Sequence, residues 1–129
     1  MTKWSMMVAV VIASAAAVVA QQAGFSRTVL QQVDISVPGR EAVTAKAEFA
    51  TAGATVGKHT HPGEEIGYVL EGTLTIDING TAKSVKAGET FAIPANIVHN
   101  ATNAGPGKAA IVSTYIVEKG KPLATPVKQ

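Results

Sequence analysis

The sequence predicts an all-β fold, a β-sandwich or small barrel of short strands. Three observations carry that prediction: runs of alternating apolar and polar residues, turn signals between them at regular spacing, and no 3.6-residue apolar stripe long enough to insist on a helix. A chain of 129 residues has room for one core of ordinary size, hence one domain.

The first element is not part of that fold. Sixteen of the first 20 residues are apolar, including all three Met and the only Trp. Lys3 precedes an apolar run from Met6 to Ala20, and small residues stand just ahead of polar Gln21 and Gln22. This is the build of a secretory signal peptide over residues 1–20, cleaved after Ala20. The expected product is a single domain, residues 21–129, periplasmic or secreted. At about 15 residues the run is shorter than the ~20 of a spanning helix, so no membrane attachment is expected after cleavage. The other 109 residues are about 40% apolar, ordinary for a soluble domain.

Strands follow in order. Val43, Ala45, Ala47 and Phe49 alternate with Thr44, Lys46 and Glu48, the pattern of a half-buried strand. Leu74, Ile76 and Ile78 alternate with Thr73, Thr75 and Asp77. That run ends in Asn79-Gly80, which favours a two-residue type I′ hairpin because both residues tolerate positive φ. A partner strand runs through Val85 to a turn at Ala87-Gly88-Glu89. Phe91–Ile93 is a short strand stopped by Pro94, which cannot donate to a ladder. Ala109–Val117 is the longest apolar run, long enough for a strand buried on both faces. The tail from Lys119, with Pro122 and Pro126, is expected to be extended rather than strand or helix.

Composition removes several function classes. Zero cysteine excludes disulfides, zinc fingers and thiol nucleophiles. A net charge of +2, or +1 once Lys3 leaves with the leader, is too weak a bias for a nucleic-acid binder. The three histidines are the chemistry-bearing residues. His59 and His61 share one face of a strand, and Glu65 opens the next apolar stretch, where it can swing back as an oxygen ligand. His99 lies forty residues on, where a barrel could bring it alongside. Such a mixed N/O set suits iron, manganese, nickel, copper or zinc. Histidine pairs on surfaces are common, however, and the bare pair leaves both readings open.

The stretch Gly53 to Gly72 reads G-x5-HxH-x3-E-x6-G through His59, His61 and Glu65. The stretch Gly88 to Asn103 reads G-x5-P-x-N-x2-H-x3-N through Pro94 and His99. Together they resemble the two motifs of the cupin superfamily, with one departure: Asn96 stands where the family usually has glycine. Asn tolerates the left-handed conformation, so the turn is expected to survive. The resemblance implies a double-stranded β-helix, or jelly-roll barrel, conserved over about residues 40–118. It also implies one divalent transition metal held by His59, His61, Glu65 and His99. Glu64, of opposite strand parity to Glu65, is expected in solvent, Gly53, Gly72 and Gly88 in turns, and Asn103 tying a loop.

Parity places Glu65, Gly67 and Val69 inward and Ile66, Tyr68 and Leu70 outward. That outward apolar stripe wants cover, either from the segment Thr28–Val37 or from a second copy in a homodimer. Thr55, Gly57, Val69, Ile97 and Ala101 are expected in the cavity wall, with Phe91, Ile93 and Tyr115 as further candidates. No Arg or Lys falls clearly inward, which points to a small neutral or phenolic ligand. The resemblance implies a quercetin-dioxygenase-like metalloenzyme in which Glu65 is both ligand and base. A redox-neutral isomerase or lyase, and a non-catalytic metal- or ligand-binding module, are the alternatives. An exported chain takes its metal outside the cytoplasm, where affinity order favours copper or zinc unless iron or manganese is supplied.

Overall fold

The computed structural model describes residues 22–128; the signal peptide expected over residues 1–20 lies outside them. Ten strands run in order: β1 (Phe25–Asp34), β2 (Arg40–Phe49), β3 (His59–Thr60), β4 (Gly63–Glu71), β5 (Thr73–Ile78), β6 (Thr81–Lys86), β7 (Thr90–Ile93), β8 (His99–Asn103), β9 (Ala109–Glu118) and β10 (Thr125–Pro126). They form two five-stranded sheets of order β1-β2-β9-β4-β7 and β10-β3-β8-β5-β6, antiparallel at every pairing. The inner faces close on one core, where Phe49, Val69 and Ile111 of the first sheet meet Leu74, Ile76 and Ala101 of the second. Among the described residues no helix is long and apolar enough to cross a membrane.

Local chemistry explains the strands that the alternation predicts. On β2, Val43, Ala45, Ala47 and Phe49 are buried while Thr44, Lys46 and Glu48 face out. Asn79 (φ 51°) and Gly80 (φ 88°) close the β5–β6 hairpin, with Ile78 paired to Thr81. Asn96 takes φ 60°, so the turn does survive without glycine. Glu64 faces solvent. Buried Asn103 ties its loop by donating to the carbonyls of Thr51 (3.0 Å) and Gly107 (2.7 Å).

Three expectations need correction. β9 is not buried on both faces: Ser113, Tyr115 and Val117 are buried, but Val112, Thr114 and Ile116 are only half covered. Only one face of this sheet has a second sheet packed on it. The tail does form a strand, since β10 pairs with β3 at the edge of its sheet, where the missing N–H of Pro126 costs nothing. Finally, Thr28–Val37 does not fold across the outward stripe. Most of it is β1, which hydrogen-bonds along the edge of β2 in the same sheet, because an extended segment gains more from pairing there. Ile66, Tyr68 and Leu70 stay 57%, 44% and 45% exposed, so nothing in the described chain covers them.

Candidate metal centre

The sheet register closes the forty-residue gap between the histidines. His59 on β3 pairs directly with His99 on β8. His61 follows β3, and Glu65 reaches the same place from the inner face of β4. All four residues are buried. The imidazole centroids lie 4.2 to 4.8 Å apart.

Backbone carbonyls fix the tautomers. His59 Nδ1 donates to Gly57 O (2.6 Å), His61 Nδ1 to Leu123 O (2.7 Å) and His99 Nδ1 to Ile97 O (2.9 Å). A carbonyl only accepts, so each Nδ1 carries a hydrogen and each Nε2 of a neutral ring is bare. Those nitrogens face one another: His59 Nε2 is 3.2 Å from His61 Nε2, and the Nε2 atoms of His61 and His99 are 3.1 and 3.4 Å from Glu65 Oε1. His99 Nε2 has no hydrogen-bond partner. Three lone pairs and a carboxylate oxygen crowded into a buried space repel unless a positive charge sits among them, either a proton on one ring or a metal ion. The three ligand nitrogens lie within 4.8 Å of one another, so the group could hold one ion, and the donor set fits a transition metal. Ser113 Oγ donates to Glu65 Oε2 (2.7 Å), which turns Oε1 toward the imidazoles.

Burial, then the neighbouring His99 charge, holds His59 far below its ordinary value, at about 3, with smaller contributions from His61 and Arg27. Burial alone would raise Glu65, but the close imidazoles of His61 and His99, with the hydrogen bond from Ser113, outweigh it and hold the carboxyl below the usual range. Burial and the Glu65 charge push the Tyr115 hydroxyl up, so it stays protonated. For the metal-free protein the His59 shift has a definite sign. Between about pH 6.5 and 3 the unfolded chain protonates His59 and the folded chain does not, so stability falls as pH drops through that window. Ionised Glu65 adds to the loss once pH falls below its ordinary 4.5. Thermal unfolding in chelator from pH 7 to 4 should show a falling Tm, with a shallower slope in His59→Gln. A flat wild-type profile would refute a buried neutral His59.

A narrow cavity opens beside the cluster, lined by His59, Glu65, His99, Tyr115 and the apolar side chains of Phe91 and Ile93. About 10 Å³ of it accepts water-sized groups, roughly one water. Ala101, Phe91, Ile93 and Tyr115 line it as the sequence predicts. Thr55, Gly57, Val69 and Ile97 do not. Thr55 bonds instead to Asn100 Oδ1 (3.0 Å), Gly57 and Ile97 turn their carbonyls to histidines, and Val69 packs in the core. Val56 takes the inward place that Thr55 was expected to fill, and Ala47, Ile76 and Ile111 join the wall.

One absence expected from the sequence is also overturned. Arg27 lines the cavity from β1, its guanidinium carbon 5.4 Å from the Phe25 ring centroid and 5.8 Å from that of Tyr115. The premise for a neutral ligand therefore does not hold. Sequence reasoning gave β1 no register; counting parity from Phe25 would have put Arg27 on the inner face. No local signal announces Ser113 or the Leu123 carbonyl.

Residues 47–115 match the family model described as a cupin domain. Over 64 residues the chain is 41% identical to the HTH-type transcriptional regulator PuuR of Escherichia coli (strain K12), a match covering 49% of this chain and 35% of that protein. It is 39% identical over 77 residues to germin-like protein 1-1 of Oryza sativa subsp. japonica, covering 55% and 35%. The chain thus spans about a third of the length of these relatives. A solved structure of oxalate oxidase in complex with the substrate analogue glycolate superimposes with TM-score 0.64 at 28% identity, covering 81% of this chain and 55% of that one. With two antiparallel sheets, both motifs in place and more than half its length on the family model, this chain belongs to the cupin family.

Proposed function

We propose that this protein is an exported metalloenzyme that holds one divalent transition metal on His59, His61, Glu65 and His99 and oxidises a small molecule with dioxygen. One observation carries the reading: three bare Nε2 atoms and an ionised carboxylate converge in a buried space, with every Nδ1 hydrogen already committed to a carbonyl. A bound iron, manganese, nickel or copper ion would supply electron exchange with dioxygen; zinc would supply only Lewis acidity. The chain's own residues do the rest. Ser113 fixes Glu65 so that Oε1 is the one carboxylate oxygen able to bind the ion or accept a substrate proton. Phe91 and Ile93 keep the cavity largely dry, and the protonated Tyr115 packs edge-on against His61, ring centroids 4.7 Å apart, holding that ring in place. The similarity to oxalate oxidase supports a redox role.

Dioxygen uptake by metal-loaded protein, measured against phenols, diketones and small hydroxy acids, tests this. Uptake with at least one compound, lost in His99→Ala, is expected. No uptake with iron, manganese, nickel or copper in place favours the second reading, a non-catalytic ligand-binding cupin, which the similarity to a transcriptional regulator supports. Export predicts a mature N-terminus at Gln21, and a secreted protein that begins at Met1 would overturn it. The same proposal pairs two copies through Ile66, Tyr68 and Leu70; a monomer mass in solution would overturn that part.

A further inference from the structure

We propose that Arg27 makes this cavity a carboxylate site, its guanidinium gripping the carboxylate of a small anion bound beside the histidine cluster. The proposal rests on the metal site proposed above and names the ligand class that site would take.

Arg27 follows Phe25 on the inner face of β1, opposite Ala47 of β2. The Phe25 and Tyr115 rings flank its guanidinium carbon, at 5.4 and 5.8 Å, within reach of cation–π attraction. The side chain is half-buried and lines the cavity beside the histidines. There its Nε is buried without a hydrogen-bond partner among the described residues. No ion pair among those residues involves Arg27 either. A buried N–H of a charged group left without an acceptor is costly, and an incoming acceptor removes the cost.

Glu65, the carboxylate lining the same cavity, is not that acceptor. Its Oε2 accepts from Ser113 and its Oε1 faces the His61 and His99 rings. A divalent ion, ionised Glu65 and Arg27 sum to two positive charges, and the low dielectric of the apolar walls amplifies the attraction for an anion. The planar guanidinium fork matches a carboxylate in shape as well as charge. With room for roughly one water before any side chain moves, the cavity selects a ligand of few atoms over a flavonoid.

The test compares glycolate with its neutral isostere glycolamide by calorimetry on the metal-loaded full chain, without turnover. Wild type is expected to bind glycolate more tightly than glycolamide. Arg27→Met should lose about 10- to 100-fold in glycolate affinity, the worth of one or two charge-assisted hydrogen bonds, at unchanged metal content and Tm. Arg27→Lys should fall between them. Glycolate binding within about 3-fold of wild type in Arg27→Met, a small loss on the scale where tenfold is 1.4 kcal/mol, overturns the proposal. Equal affinity for glycolamide, or tighter binding of inorganic phosphate, overturns it as well. If Arg27→Met fails to fold, the two wild-type comparisons and Arg27→Lys decide. Arg27-dependent glycolate binding with no dioxygen uptake would retire the oxidase reading and leave this one standing; uptake without Arg27 dependence would do the reverse.

Discussion

Replacing His99 with Ala is expected to abolish stoichiometric metal binding. The wild-type protein, dialysed against a transition-metal buffer, should carry about one ion per chain by elemental analysis, as the group of His59, His61 and His99 with Glu65 beside it implies. Deleting His99 removes the ring that closes the cluster from β8, directly across from His59. Affinity should fall by well over 100-fold, since losing an orienting partner alone costs about 10- to 100-fold. Ser113→Ala supplies that milder comparison, because it removes only the hydrogen bond that turns Glu65. The expected order is wild type, then Ser113→Ala, then His99→Ala, with the circular dichroism of all three unchanged. Full metal retention by His99→Ala would sink the site assignment.

Gly63→Ala is expected to be the most damaging single-methyl addition. A Cβ at Gly63 would sit 1.8 Å from the Ile116 carbonyl oxygen and 2.7 Å from its carbonyl carbon, both backbone atoms of the paired strand β9. No rotamer change relieves that contact; β4 and β9 must separate. Overpacking a core costs about 1–3 kcal/mol even where side chains can yield, so a loss of about 3 kcal/mol or more is expected. In a domain of this size that lowers Tm by roughly 10 °C or more. Gly67→Ala meets the Phe91 ring at 2.1 Å, and the ring can give, so its loss should be smaller. Gly107→Ala, with nothing within 4 Å and no positive φ, serves as the harmless control. Equal melting temperatures for Gly63→Ala and Gly107→Ala would contradict the close strand approach.

Much of the frame was legible because it rests on local rules. The alternation on β2 and β5, the Asn79-Gly80 hairpin and the parity of Glu65 against Ile66 all follow from the period-2 pleat and positive-φ tolerance. The four-residue cluster was legible for another reason. His59, His61 and Glu65 lie close in sequence, and the spacing of the second motif carries His99. What local rules do not carry is register. β1 shows its parity only once paired with β2, so Arg27 went unnoticed, and Val56 rather than Thr55 faces the cavity because the loop before β3 keeps no strand period.

By itself, then, the sequence determined an all-β chain with three histidines and a glutamate spaced so that they can meet, because pleat, turn and motif spacing act over a few residues at a time. Tertiary structure decided what surrounds them. The Leu123 carbonyl comes from the tail 62 positions away to fix the His61 tautomer, and Ser113 crosses 48 positions to turn Glu65. Arg27 enters the cavity only because β1 joins the edge of β2 instead of covering the outer face. Each of these contacts depends on which strands neighbour one another, a property of the whole closed sheet that no short stretch of chain contains.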